Sequence, residues 1–371
     1  MTFWWSDDNY GQLLQCYALQ RYLRDLGHDA FLIRYKPGNG NFITFKRLFS
    51  IFNPVKVIRF FSKRKRLKQL QKEQQYNKSR CFDDFRSKYI VQSEYVYFSF
   101  DDLKMNPPEA DVYIVGSDQV WNFGSVGTGA YIKTYCLQFA PEHTKRISYA
   151  ASFGVDSLTD EVSNYIRPLL NSFSNVSVRE NSGIEICNKI GIKTDIVCDP
   201  TLLLDKAQWS HLKDNSAKNS RKYVFLYLLT NTCVFSVREL KKWTDSRNLD
   251  LIYVSGNTAY CQTDFDDKNI TKSYLSINQW LNYLFSAEYI ITNSFHCCVF
   301  SLIFSKKVGV VPLSSSLGRT NDRINTLFKN LDVCKTEIVN NNFSVLEQCQ
   351  EQNINTTFVE ISKKLLESYL K

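Results

Sequence analysis

Four short polar segments of the chain have residue types that can bind ligands or move protons. Each lies where an apolar stretch ends or a helical stretch begins, and such junctions hold the ligand sites of open α/β sheets. The segments are Asn9-Tyr10-Gly11-Gln12, Gly116-Ser117-Asp118-Gln119-Val120-Trp121, Val178-Arg179-Glu180 and Asn293-Ser294-Phe295-His296. Their side chains have groups that could bind an anion, bind a sugar and donate a proton.

The first segment is predicted to begin a helix. Because Gly11 has no side chain, backbone amides at the helix N-terminus could face an anion or a sugar oxygen there. Asn9 and Tyr10 directly precede Gly11. The structural alternative is an ordinary N-cap at Asp8 or Asn9 followed by a tight turn.

The second segment follows a predicted strand and has the composition of a saccharide site. Ser117, Asp118 and Gln119 offer hydrogen-bonding groups to hydroxyls, and Trp121 offers a flat face to a sugar ring. Asp118 could also take a hydroxyl proton if burial raised its pKa. Alternatively, Ser117 and Asp118 only cap the next turn.

The last two segments supply cations and a titratable group. Arg179 at a strand end could clamp a carboxylate or phosphate with its planar guanidinium, or form a structural salt bridge. His296 lies between a predicted strand and an apolar helix, and Arg319 and Arg323 follow the next strand. A lone histidine is usually structural, but this setting favours a functional one.

Alternating apolar strands and amphipathic helices position these segments. A helix is predicted over 10–27 from apolar residues at a period of 3.6. Strands are predicted at 30–35, 110–115, 146–152, 175–178, 194–197, 223–229, 249–255, 289–292 and 308–312, and further helices at 161–173, 183–190, 237–247, 277–286, 295–304, 323–330 and 357–370. The alternation predicts an α/β fold with two Rossmann-like domains.

The 371 residues are enough for more than one domain. We predict an N-terminal Rossmann-like domain at 1–204 with a basic aromatic insertion at about 42–95, and a C-terminal Rossmann-like, donor-binding domain at 205–345. A helical segment at 346–371 could cross back onto the first domain. Neither half has a Gly-x-Gly-x-x-Gly sequence, so a nicotinamide or flavin fingerprint is absent.

Positive charge is concentrated in one segment. From Phe42 to Arg80 there are twelve Lys and Arg residues against one Glu, a net charge of +11, whereas the whole chain carries +9. The remainder is nearly neutral, which argues against a general nucleic-acid-binding surface. Apolar and aromatic residues alternate with these cations, as in a segment lying on an anionic membrane. The alternatives are a solvated helical insertion packed by its aromatics and a local nucleic-acid contact.

Composition disfavours several other classes. The apolar runs are far shorter than the roughly 18 residues of a transmembrane helix, and no secretory signal is recognisable, so a cytoplasmic location is expected. The 11 cysteines include no Cys-x-x-Cys pair and are expected to be reduced thiols. The four histidines lack metal-binding spacing, so no metal site is predicted.

Taken in order, these segments resemble the polysaccharide pyruvyl transferase family. The resemblance rests on Asn9-Tyr-Gly-Gln12 with Tyr17-Ala-Leu-Gln20, Gly116-Ser-Asp-Gln-Val-Trp-Asn122, Val178-Arg-Glu180, Asp199-Pro-Thr-Leu-Leu203 and Asn293-Ser-Phe-His296. It implies a two-domain fold like that of GT-B glycosyltransferases, with a cleft between the domains. It also implies transfer of an enolpyruvyl-derived group from phosphoenolpyruvate to two hydroxyls of one sugar in a capsule or exopolysaccharide repeat unit, forming a pyruvate ketal and releasing phosphate.

The resemblance assigns roles to particular residues. His296 matches the family's histidine and is the expected general acid, and Asp118 is a candidate base for the attacking hydroxyl. The candidate ligands of the donor's carboxylate and phosphate are Arg179, Ser294, Arg319 and Arg323. The expected acceptor contacts are Asn9, Tyr10, Gly11, Ser117, Gln119 and Trp121. This scheme needs no cofactor and no metal.

One position departs from part of the family. Some members have an arginine two residues before the histidine, where it anchors the donor, whereas this chain has Ser294. The downstream segment Gly318-Arg-Thr-Asn-Asp-Arg323 favours replacement of that charge by Arg319 or Arg323. Otherwise the donor is held differently.

Two other functions stay open. A GT-B glycosyltransferase using a nucleotide sugar in polysaccharide synthesis would share the fold, although no nucleotide-binding signature is recognisable. A non-catalytic membrane-bound scaffold would account for the basic aromatic segment. If the resemblance holds, the acceptor is expected to be lipid-linked, with the Phe42 to Arg80 segment docking the protein on the inner face of the plasma membrane.

Overall fold

The computed structural model describes residues 1–2, 9–37, 80–122, 129–214, 221–229, 235–256, 271–272, 274–312, 321–351 and 353–371. Within these residues there are thirteen α-helices and twelve strands, and a short 3-10 helix (Pro200–Leu203) joins the two halves. None of the helices in these ranges is both long and apolar enough to cross a membrane.

The first half is an α/β unit of parallel strands. Its elements are α1 (Tyr10–Asp25), β1 (Leu32–Tyr35), α2 (Phe82–Tyr89), β2 (Gln92–Tyr97), α3 (Phe100–Met105), β3 (Val112–Val115), α4 (Ala130–Tyr135), β4 (Lys145–Ser148), α5 (Asp160–Leu170), β5 (Ser177–Val178), α6 (Asn181–Lys189) and β6 (Asp195–Ile196). β1 pairs with β2, β3 with β4 and β5 with β6. Isolated bridges join the β4 side to the β5 side, at Ile147 with Asn175 and at Ala151 with Val178. The carboxyl ends of β3, β5 and β6 therefore face one edge.

The second half contains a six-stranded parallel sheet. Its elements are α7 (Lys206–Ser210), β7 (Tyr223–Leu228), α8 (Val237–Asp245), β8 (Asp250–Ser255), β9 (Thr271–Lys272), α9 (Ile277–Ser286), β10 (Tyr289–Thr292), α10 (Phe295–Ile303), β11 (Lys307–Val310), α11 (Asn321–Asn330), β12 (Thr336–Glu337) and α12 (Val345–Gln348). The strand order is β12-β11-β10-β7-β8-β9. This is the Rossmann order, and its topological switch lies between β7 and β10, where ligands bind in such sheets.

Apolar sequence explains why the switch region is buried. All six residues of β7 are buried, which is typical of a parallel strand covered by helices on both faces. All nine residues of α10 are buried as well, so this helix lies inside the core rather than on its surface. The same core continues into the first half, where the Tyr10 ring stacks on Trp280 with 5.2 Å between centroids.

The last helix, α13 (Thr357–Leu370), packs on the first half. The backbone amide of Cys198 donates to Ser362 Oγ at 2.9 Å, and the Tyr22 hydroxyl donates to Glu367 Oε1 at 2.9 Å. The C-terminal helix thus covers the end of β6 and the outer side of α1.

The predicted elements are present in the structure, with ends shifted by at most four residues. The last part of the predicted basic insertion, at about 42–95, contains α2 and most of β2, and β2 pairs with β1 of the first half. Arg80 is fully buried, with its guanidinium near the rings of Tyr10, Phe82 and Tyr274. Arg80 is therefore not part of a surface cluster, and the rest of the basic segment up to residue 79 lies outside the described residues.

Candidate functional site

The switch point of the second sheet places His296. Asn293 Oδ1, just after β10, accepts a hydrogen bond from the backbone amide of Leu229 after β7, at 2.7 Å. Ser294 is the N-cap of α10, and its Oγ accepts from the amide of Cys297 at 3.4 Å. His296 follows in the first turn of α10 and is 7% exposed. The predicted donor contact Ser294 thus uses its hydroxyl oxygen as a helix cap.

The turn after β3 depends on a glycine. Gly116 has φ +114°, and a Cβ there would lie 2.1 Å from the carbonyl oxygen of Tyr149, so no other residue fits. Asp118 also adopts a left-handed conformation, with φ +72°. Such strained positions are frequent at functional sites. Ser117 is fully buried, and its Oγ lies 2.9 Å from Ala150 O and 3.1 Å from Asp199 Oδ2.

Arg179 is the centre of a buried ionic cluster. Its Nη2 donates to Asp118 Oδ1 at 2.9 Å, and its Nη1 donates to Asp199 Oδ2 at 3.0 Å. Its Nε lies 3.5 Å from Glu180 Oε2, and its guanidinium lies 4.7 Å from the centroid of the Phe295 ring. With both terminal nitrogens on carboxylates, Arg179 holds the three strand ends together. Arg179 thus forms the structural salt bridge that was the alternative to the predicted clamp on the donor.

Electrostatics keep the two aspartates ionised. Burial works to raise the pKa of Asp118, but Arg179, followed by His296 and Arg323, lowers it overall. Burial likewise opposes ionisation of Asp199, yet His296 and Arg179 hold its pKa well below the usual range. Both carboxylates are therefore negatively charged at neutral pH.

His296 lies between two groups from the first half. Its Nε2 is buried 3.6 Å from Asp199 Oδ2 and has no closer hydrogen-bond partner among the described residues. Its Nδ1 faces Gly11, where a Cβ would lie only 2.1 Å away. Asn9 is the N-cap of α1, and its Oδ1 accepts from the amides of Gly11 at 2.9 Å and Gln12 at 3.3 Å. The capping alternative for Asn9 is thus realised, and Gly11 is the contact that lets α1 approach His296.

Arg323 also belongs to this cluster. Unlike Arg179, it does not pair with a carboxylate within 4 Å among the described residues. Both of its terminal nitrogens donate to the Gln119 amide oxygen, at 2.8 and 3.0 Å, when that amide is oriented to satisfy them. Burial, with Arg179 nearby, lowers the pKa of Arg323, and its Nε has no hydrogen-bond partner in the described ranges. Glu180, Asp118 and Asp199 act in the opposite direction on this pKa without forming an ion pair with Arg323, so a bound anion would be its direct ionic partner. Arg319 lies outside the described residues.

Three of the predicted acceptor contacts are fully buried in the structure. Tyr10 and Trp121 are fully buried: the Tyr10 hydroxyl donates to Leu275 O at 2.6 Å, and Trp121 Nε1 donates to Tyr135 O at 3.1 Å. Neither ring has a face available to a sugar, and Ser117 is enclosed as well. Large aromatic side chains gain most by burial, and a polar sequence neighbourhood does not reveal that.

Two residues of the cluster were not singled out as site residues. Asp199 lies just after β6. Its Oδ1 accepts hydrogen bonds from the Thr201 hydroxyl at 2.6 Å and from the Thr201 amide at 3.1 Å. The signal that could have found it is its position just after a strand, before Pro200. Glu180 is 1% exposed, and burial raises its pKa in spite of Arg179. Within the described residues, no group of three or more His, Cys, Asp or Glu is arranged to hold a metal ion.

Comparisons with solved structures agree with this architecture. The chain is similar to UDP-N-acetylglucosamine 2-epimerase from Rickettsia bellii, with a TM-score of 0.56 and 9% identity over 96% of this chain and 92% of the other. It is also similar to MnaA of S. aureus in a complex with UDP, with a TM-score of 0.52 and 10% identity over 98% and 95% of the two chains. At this identity the likeness concerns the fold, and it confirms the predicted GT-B-like arrangement.

The sequence comparison identifies the family. Among curated proteins, none is significantly similar to this chain. The sequence profile of the family described as polysaccharide pyruvyl transferase matches residues 9–315, which is most of the chain and includes every described segment of the cluster except α11. With His296, Asp118, Arg179 and Asp199 in one buried cluster inside the matched range, this chain belongs to the polysaccharide pyruvyl transferase family.

Proposed function

We propose that the chain transfers the enolpyruvyl-derived group of phosphoenolpyruvate to two hydroxyls of one sugar, forming a pyruvate ketal and releasing phosphate. Family membership makes it a transferase. The observation that carries the proposal is the juxtaposition of His296, with the ionised Asp199 at its Nε2, and Arg323, an arginine that has no carboxylate within 4 Å among the described residues. The cluster therefore combines a candidate proton donor with a cation that could bind an anion.

The helices support an anionic donor. α1, α10 and α11 all begin at this cluster, where Gly11, His296 and Arg323 lie in their first turns. A helix N-terminus carries a partial positive charge, which favours nearby anions. Phosphoenolpyruvate brings a carboxylate and a phosphate, so Arg323 and these helix ends are its proposed ligands. Arg179 contributes indirectly, by holding the carboxylates in place.

His296 is the proposed acid for the enol carbon. Because Nε2 is buried against Asp199, Nδ1 is the nitrogen that we assign to proton transfer. The proton goes to the methylene carbon of the donor, and the first sugar hydroxyl attacks the adjacent carbon, which has become oxocarbenium-like. The second hydroxyl then closes the ketal as the carbon–oxygen bond to phosphate breaks. One hydroxyl proton restores His296, and the other leaves with the phosphate.

Asp118 and Gln12 are the proposed acceptor contacts. Pairing with Arg179 lowers the pKa of Asp118, so we assign it to orienting a hydroxyl rather than to holding its proton. Gln12 Oε1 is buried without a hydrogen-bond partner in the described residues, and such atoms are rare unless a ligand or water completes them. A sugar hydroxyl would satisfy that oxygen.

A donor titration tests this proposal. Wild type should bind phosphoenolpyruvate by calorimetry and release phosphate with at least one member of a hexoside panel. Arg323→Ala should weaken donor binding by roughly 10- to 100-fold, because hydrogen bonds to charged groups contribute about 1.5–3 kcal/mol. Lys329→Ala, at the exposed end of the same helix, is the control. Absence of donor binding to wild type would overturn the proposal and favour a nucleotide-sugar glycosyltransferase.

We also propose that the acceptor is lipid-linked and that the basic aromatic segment from Phe42 docks the protein on the inner face of the plasma membrane. The support is sequence composition, with cations alternating with aromatic and aliphatic residues. The purified protein should float with vesicles containing anionic lipid at low salt and lose that binding as salt is raised. Failure to float at low salt, with zwitterionic vesicles as the control, would contradict membrane docking.

A further inference from the structure

Helix α6 of the first half lacks an N-cap of its own. Glu180 occupies the N-cap position but makes no side-chain capping bond, and the first turn contains no acidic residue. An unsatisfied backbone amide in a buried place is costly, so the first amides of this helix need acceptors from elsewhere.

Helix α11 of the second half supplies those acceptors. The amide of Ser182 donates to Asp322 Oδ2 at 3.2 Å, and the amide of Asn181 donates to Thr326 Oγ1 at 3.4 Å. The third amide, that of Gly183, donates to Glu180 O at 3.1 Å. The two halves of the protein are thus joined by a helix cap in which each half contributes one partner.

The missing cap on α6 has a reason at the site. Glu180 is turned into the ionic cluster, where its Oε2 lies 3.5 Å from Arg179 Nε. It cannot be in the cluster and also cap the helix. Gly183 is packed tightly, since a Cβ there would lie 2.9 Å from Val178 Cβ, so α6 is held firmly against β5, whose end carries Arg179. The position of α6 is therefore set by β5, and a helix that packs on α6 is positioned by it.

Asp322 is adjacent in sequence to Arg323, the proposed donor ligand. Successive residues of an α-helix point about 100° apart, so α11 can place one side chain on α6 and the next in the buried cluster. Arg323 reaches Gln119 from this docked position. We infer that Asp322 is a positioning residue: by accepting the hydrogen bond of the Ser182 amide, it seats α11 on α6 and thereby holds Arg323 where the anionic donor binds. This inference rests on the proposed function.

Two substitutions of Asp322 distinguish the role of its hydrogen-bond acceptor from that of its negative charge. Asp322→Ala removes the cap and should weaken phosphoenolpyruvate binding and raise its KM by roughly five- to tenfold, with kcat within about twofold of wild type. Asp322→Asn keeps an amide oxygen that caps as well as a carboxylate, so it should stay within about twofold of wild type. Thr326→Val, a second variant, should change KM in the same direction as Asp322→Ala. Lys329→Ala is the control on the exposed side of α11.

Hydrogen exchange supplies a readout that does not depend on the donor. The amides of Asn181 and Ser182 should exchange faster in Asp322→Ala than in wild type, with or without phosphoenolpyruvate. Faster exchange together with weaker donor binding supports the inference. Unchanged exchange, unchanged binding, or an equal loss in Asp322→Asn overturns it. Failure of wild type itself to bind phosphoenolpyruvate overturns the proposed function, and this is seen before any variant is compared.

Discussion

Replacing His296 by glutamine is expected to lower acceptor-dependent phosphate release by about 10²- to 10⁴-fold, the usual contribution of a general acid. Glutamine is polar and similar in reach, and it can accept or donate hydrogen bonds, but it cannot donate a proton to carbon. The neighbouring Asp199 stays paired with Arg179 at 3.0 Å, so the ionic cluster should persist. The measurement is the steady-state rate of phosphate release at saturating donor and acceptor.

The control for this prediction is His211→Gln, the same change at an exposed position outside the cluster. Thermal unfolding of both variants should match that of wild type within a few degrees. Asp199→Asn is a poor substitute for His296→Gln, because Asp199 also pairs with Arg179 and its loss would leave a buried arginine undercompensated. Phosphate release by His296→Gln at the wild-type rate would remove this histidine from the mechanism.

Gly11→Ala is expected to reduce kcat/KM by about 100-fold or more without unfolding the protein. The new Cβ would lie 2.1 Å from His296 Nδ1 and 2.4 Å from Cγ, so the imidazole must move, and displacement of a catalytic group by about 1 Å can cost 10²-fold. The helix itself should tolerate the change, since alanine is a better helix former than glycine by roughly 0.5–1 kcal/mol. Circular dichroism and steady-state kinetics check both statements.

A double-mutant cycle identifies the cause of that loss. If Gly11→Ala acts by displacing His296, the same substitution in a His296→Gln background should add little, because the two changes remove one function. Arg21→Ala, at the exposed end of α1, should leave the rate near wild type. Additive losses would mean that Gly11 acts through something other than the histidine.

Both predictions depend on contacts between the two halves. His296 is in the second half, whereas Gly11 and Asp199, which face its two nitrogens, are in the first. Asp322 and the amide of Ser182 form a second contact across the same boundary, at 3.2 Å. The cluster is thus assembled by packing of two Rossmann-like units, and local sequence alone does not specify its geometry.

Hydrophobic periodicity and strand-end motifs were sufficient for the fold class and the family. The run 289–292 was predicted as a strand and is β10. Short apolar runs of this kind are typical of strands that are buried on both faces of a parallel sheet. The two-domain GT-B-like fold and the polysaccharide pyruvyl transferase family were both confirmed. β2 was missed because it is a half-exposed strand, with mixed polar and apolar residues that have no strict alternation.

The roles of individual side chains were decided by the tertiary structure. Sequence shows that Arg179, Asp118 and Trp121 lie beside strands, but not which atoms they meet. Packing put the Trp121 ring in the core and both terminal nitrogens of Arg179 on carboxylates, which left Arg323 as the arginine of the cluster without a carboxylate partner among the described residues. The sequence by itself determined the fold and the strand-end location of these residues, because periodicity and local motifs are local properties. Burial, charge pairing and the approach of Gly11 to His296 are set by long-range packing, so only the folded chain determines them.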